Sequence, residues 1–143
     1  MRKQGALLLA LMTVMTLAGC SRSYTTERDL VDLGTRFLNA FYSRDFDTAC
    51  SFLTGQALAD MRAAVPALRA MNVQNKVSGL ELKCDWVSRD RTRGDVVAAY
   101  VFEQTVPGAG TTTVDMVAVL KFARVAGQWK IYSFATARRV EKS

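Results

Sequence analysis

Histidine is absent from this chain of 143 residues. The one side chain that ordinarily titrates near neutral pH is therefore missing, which excludes histidine-based general acid–base catalysis and Ser-His-Asp triads. Zinc and copper lose their commonest ligand as well, and carboxylates with a few thiols are poor substitutes, so neither a metal nor a cofactor is expected. No Gly-x-Ser-x-Gly, no phosphate-binding loop and no Gly-x-Gly-x-x-Gly opening a helix occurs. Single-sign charge blocks are lacking too. The 19 basic and 13 acidic residues are interspersed, and the densest cluster, Arg89-Asp90-Arg91-Thr92-Arg93-Gly94-Asp95, mixes both signs, so nothing points to nucleic acid. Only two prolines and three cysteines are present. The uncharged stretch from Gly5 to Gly19 falls short of the roughly 20 apolar residues that span a bilayer comfortably.

That stretch, preceded by Arg2 and Lys3 and ending in small residues, has the form of a signal peptide. Its last residues, Leu17-Ala18-Gly19-Cys20, resemble the bacterial lipoprotein processing site. The resemblance implies cleavage between Gly19 and Cys20 and lipidation of the Cys20 thiol. An acylated N-terminus implies a membrane partner through the lipid, since two or three acyl chains hold stably where one holds marginally. Ser21 stands where an aspartate would favour inner-membrane retention. The address is then the periplasmic face of an outer membrane or the surface of a single-membrane cell. The chain divides into a removable leader (1–19), a lipidated tether (20–26), one domain (27–138) and a short tail (139–143). Loss of Arg2 and Lys3 lowers the net charge from +6 to +4. Cys50 and Cys84 remain, either as a disulfide, natural in an exported compartment, or as two buried thiols.

Periodicity divides the domain in two. Leu30, Leu33, Phe37 and Phe41 fall on one helical stripe widened by Val31, Leu38 and Tyr42, with Asp32, Arg36 and Asn39 opposite. Thr25 or Thr26 is positioned to cap this helix. Asp45 can cap a second, short helix carrying Phe46, Ala49, Cys50, Phe52 and Leu53, and Thr54 a third from Gly55 to about Val65, interrupted at Pro66. From Val73 the period becomes two. Leu80, Leu82, Cys84 and Trp86 share one strand face; Val96, Ala98, Tyr100 and Phe102 another; Val114, Met116, Ala118, Leu120 and Phe122 a third. The last strand, Gln128 to Arg138, divides into Trp129, Ile131 and Ser133 on one side and Lys130, Tyr132, Phe134 and Thr136 on the other. Helices followed by hairpin-linked strands predict an α+β domain: N-terminal helices packed on a curved antiparallel sheet of about four strands.

This order, with the segment Phe37 to Ala49 containing Arg44-Asp45 and the closing Gly127-Gln128-Trp129-Lys130-Ile131, resembles the nuclear transport factor 2-like (cystatin-like) superfamily, in which small bacterial lipoproteins are common. The resemblance implies a cone-shaped fold. It also implies three functional possibilities. The open sheet face, apolar at Val97, Ala99, Val101, Val117 and Val119, would bind another envelope protein or a second copy of the chain. Alternatively the cone would hold a small hydrophobic ligand against Phe37, Phe41, Trp86, Tyr100, Phe102, Met116, Phe122 and Trp129, or those side chains simply fill the core. More remotely, an isomerase- or cyclase-like enzyme would set Tyr42, Tyr100 or Tyr132 beside Asp85, Glu103 or Asp115. Alternation with apolar neighbours places those carboxylates toward solvent, so no catalytic residue is assigned.

Overall fold

The computed structural model describes residues 25–139, and the leader, Cys20 and its tether to residue 24 lie outside them, as do residues 140–143. Helix α1 covers 25–42, followed by α2 (Phe46–Ser51), α3 (Gly55–Ala70), β1 (Gln74–Val87), β2 (Arg93–Val106), β3 (Gly110–Val125) and β4 (Gln128–Arg138). The strands form one antiparallel sheet in the order β1-β2-β3-β4. The α+β architecture expected from the sequence is the one observed.

The apolar stripe of α1 lies on the sheet, with Leu30, Phe37 and Leu38 fully buried. The approach is close at Gly34, where a Cβ would stand 2.8 Å from Leu82 Cδ2 and 3.0 Å from Leu120 Cδ1. Residues 25 and 26 are already helical. The helix ends where Asp45 N–H donates to the Ala40 carbonyl and Arg44 adopts a left-handed φ of 65°. A residue other than glycine is disfavoured there, and the Arg44 side chain supplies the compensation. Its guanidinium donates to the carbonyls of Leu68 (2.7 Å), Arg69 (3.1 Å) and Val73 (3.0 Å), closing the C-terminal end of α3. Asp45 accepts from Thr48 N–H and caps α2, as expected. Thr54 occupies the capping position of α3, but its side chain makes no capping bond.

Helix α3 does not stop near Val65. It runs through Pro66 to Ala70. Met61 and Val65, before Pro66, are buried and Leu68, after it, packs against the core while Pro66 itself stands exposed, so packing holds the turns on either side.

Two bulges alter the strand faces. In β1 an extra residue between Ser78 and Glu81, eased by Gly79 at φ 61°, precedes a second between Cys84 and Trp86. The second pairs Trp86 with Asp95 rather than continuing the series that set Cys84 against Val96, so Trp86 leaves the core face on which its alternation placed it. In β4 a bulge opposite Lys121 and Phe122 makes Tyr132 the extra residue. Ile131 pairs with Phe122 and Phe134 with Leu120. Both therefore face the helices, correcting the simple alternation expected of that strand. Gly127, at φ 77°, turns the β3–β4 hairpin as its position suggested.

Candidate functional site

The helices cover one face of the sheet and leave a recess where α1 ends. Phe41, Tyr42 and Phe46 line it from the helices, Phe102, Gln104 and Met116 from the sheet, and Leu68 and Met71 from the end of α3, enclosing about 260 Å³. Arg44 and Asn75 stand at its polar side. The Tyr42 and Tyr100 hydroxyls are hydrogen-bonded at 2.5 Å, and the Tyr42 ring packs against both Tyr100 and Phe102. Burial raises the pKa of both phenols. The bond from Tyr100 partly offsets this for Tyr42, whereas the same bond adds to the rise for Tyr100. At neutral pH the pair is uncharged, so one hydroxyl donates to the other, whose own proton is left for a carbonyl or hydroxyl acceptor.

Of the residues expected to line a pocket, Phe41, Phe102 and Met116 do so. Phe37 and Phe122 are buried in the core, and Tyr100 stands behind Tyr42. Trp86 is half exposed on the outer side, and Trp129 lies in the β3–β4 hairpin with Arg124 5.2 Å from its ring centre. Leu68 and Met71 are not among those expected, because the interruption expected at Pro66 leaves the course of the chain beyond it undetermined. Phe46 and Tyr42 were visible as apolar helix residues, but nothing in their spacing marked them as wall rather than core.

The phenols and the carboxylates of the enzymatic alternative are not brought together. Tyr42 and Tyr100 meet, but Tyr132 lies beneath Arg93, whose guanidinium is 5.3 Å from its ring centre. Asp85 and Asp115 are exposed, and Glu103 pairs with Lys76 at 3.8 Å. Among the described residues no group of His, Cys, Asp and Glu could hold a metal ion.

Cys50 and Cys84 are free, correcting the expected disulfide. Leu53 bridges Ile131, which sets the end of α2 beside β4 at one edge of the sheet, while Cys84 is on β1 at the other. Three strand spacings of ~4.8 Å separate those edges, well beyond the ~7 Å between Cα atoms that a disulfide tolerates. Burial raises the Cys84 thiol pKa, with the Glu27 charge adding to it. A second recess, about 440 Å³, opens between α3 and β4 against Leu53, Ala57, Met61, Tyr132 and Phe134.

Three helices over a curved antiparallel sheet, enclosing a recess at one end, define a nuclear transport factor 2-like (NTF2-like) fold. Solved structures share it, two of them as follows. One is the intermembrane-space region of the chloroplast protein ARC6, 17% identical with a TM-score of 0.59, the match covering 79% of this chain and 97% of that one. The other is a candidate dehydratase of the NTF2-like family from Streptomyces avermitilis, 15% identical with a TM-score of 0.56, covering 76% and 93%. At such identity the likeness is one of fold, and a fold of this kind is compatible with an enzyme as well as with a binding domain. Neither a family model nor a curated protein matches the chain. No helix among the described residues is long and apolar enough to cross a membrane.

Proposed function

We propose that this is a binding domain of the bacterial cell envelope, held outside the cytoplasm by a lipidated Cys20, whose uncovered sheet face pairs with a second copy of the chain. The observation that carries the reading is the composition of that face. Val97 and Ala99 of β2 lie opposite Val119 and Val117 of β3, which in turn lie opposite Ala135 and Ala137 of β4. Val101 extends the patch. Glu81, Lys83, Asp115 and Lys121 surround it on neighbouring pairs. A flat area of small apolar side chains with charges of both signs at its rim suits a self-complementary contact, in which each copy offers both members of every pair.

Light scattering on the purified chain tests this: twice the monomer mass is expected, and Val117→Lys should return a monomer with an unchanged far-ultraviolet circular dichroism spectrum. A wild-type chain that stays monomeric at the highest soluble concentration would sink the reading. The recess supports a second one, a small apolar ligand with a polar end, because Arg44, Asn75 and Gln104 join its otherwise apolar and aromatic lining. Native mass spectrometry after gentle purification would reveal such a molecule as added mass, lost in a Phe102→Trp variant that fills the space.

A further inference from the structure

We propose that the end of the domain at which α1 begins rests on an anionic lipid surface, with Trp86 and Val125 at the interface and the arginines of two adjacent turns among the headgroups. The inference depends on the reading of Cys20 as a lipid anchor.

The β1–β2 and β3–β4 turns project from this end side by side, tied by the Arg124 N–H bond to the Thr92 carbonyl at 2.8 Å. The start of α1 is here too, since Leu30 lies against Gly94 at the head of β2. A lipid on Cys20 would be at most ~18 Å from residue 25 even along a fully extended chain, so this end must be the one near the bilayer.

Its surface has the required chemistry. Trp86 is 50% exposed and Val125 44%, unusual for large apolar residues. The β1 bulge turns the indole outward, and aromatic side chains of this kind settle at membrane interfaces. Arg89, Arg91, Arg93 and Arg124 lie in the two turns or at their strand ends. Arg93 and Arg124 are already ordered over the Tyr132 and Trp129 rings, keeping their charge while losing little freedom on binding. The acid within the turns, Asp90, is bound by Ser88 and Thr92, which lower its pKa. Glu27 and Asp29 on α1 and Asp85 and Asp95 on the strands are the other acids at this end. They oppose the attraction, which salt weakens further by screening the exposed arginines from the headgroups.

The test uses the full chain purified from membranes and placed in vesicles of phosphatidylglycerol and phosphatidylcholine whose acyl chains carry bromine, a short-range quencher of tryptophan. Flotation and the mass of the N-terminal peptide report the anchor, and emission reports the contact. The expected result is flotation with quenching that Trp86→Phe removes in large part and that weakens in pure phosphatidylcholine or high salt. Arg89→Gln should lower the equilibrium constant for the contact roughly fivefold, the ratio associated with one cation at such a surface. Flotation with Trp86 emission identical in anionic and neutral vesicles would overturn the proposal and leave the anchor standing. An N-terminal peptide without acyl mass and no flotation would overturn both. Protection of Trp86 only by an added envelope protein would overturn it in favour of a protein partner.

Discussion

The two faces of this sheet are built from nearly the same residues and have opposite fates. On the face under α1, Val96, Ala98, Ala118 and Leu120 are completely buried. One residue along each strand, Val97, Ala99, Val117 and Val119 are only half buried, with none of the described helices over them. Side-chain type therefore does not separate core from surface here. What does is the stripe on α1 and the volume of what each face carries: Tyr100, Phe122 and Phe134 stand beneath the helices, Phe134 edge-on to Phe37 of α1, while the centre of the outer face is held to valine and alanine.

Adjacent substitutions break this comparison most sharply. Leu120→Asp, placing an unpaired charge in the core, should leave too little stability for a folded chain, more than the ~3–5 kcal/mol typical of emptying such a site. Val119→Asp, one residue away, should change stability by less than ~1 kcal/mol yet abolish association. Thermal denaturation and light scattering read both, and equal destabilisation at the two positions would mean that the outer face is buried after all.

The next effect concerns the corner that delivers α1 to the rest of the covered face. Arg44→Ala removes three bonds to the end of α3 and should cost about 2–3 kcal/mol in urea denaturation. Arg44→Gly should cost ~1 kcal/mol less, because glycine adopts the left-handed backbone freely. If the two variants are equally stable, the corner is not strained.

Smaller still is the phenol pair. Tyr42→Phe should lower stability by about 1 kcal/mol. Both phenols have pKa values raised above the ordinary 10.0, so their contribution is complete below pH 10 and declines as pH climbs from 10 toward the folded values. Alkaline denaturation followed spectroscopically should show two tyrosines resisting ionisation until the fold is lost. The smallest effect is at the thiols. Cys50 and Cys84 should both alkylate without reductant, Cys84 becoming reactive only as pH rises past its ordinary 9.0, because burial and Glu27 disfavour the thiolate.

Much of this molecule was legible residue by residue. The stripe on α1, the Asp45 cap, the turn at Gly127 and the core face of β2 and β3 follow from local periodicity and backbone preference, and they were enough to define the architecture. Three errors share a cause. Pro66 reads locally as an interruption, Trp86 as interior and Phe134 as opposite in face to Ile131, because local rules carry no information about a helix held by packing on both sides of a proline or about a bulge that shifts the phase of a strand. The recess was half visible for the same reason: its sheet wall came from alternation, whereas Leu68 and Met71 required knowing how far α3 continues. The cysteines could be paired on paper because sequence contains no distance across a sheet.

Sequence by itself determined the element order, the polarity of each face and the absence of imidazole chemistry, since these depend on side-chain type and on spacings of two or 3.6. Tertiary structure alone decided where the bulges fall, that Arg44 caps a helix more than twenty positions away, that two tyrosines from α1 and β2 are hydrogen-bonded to each other, and that Trp86 joins the arginines at one end. Each is a contact between residues distant in the chain, fixed by packing rather than by any property of the neighbours in sequence.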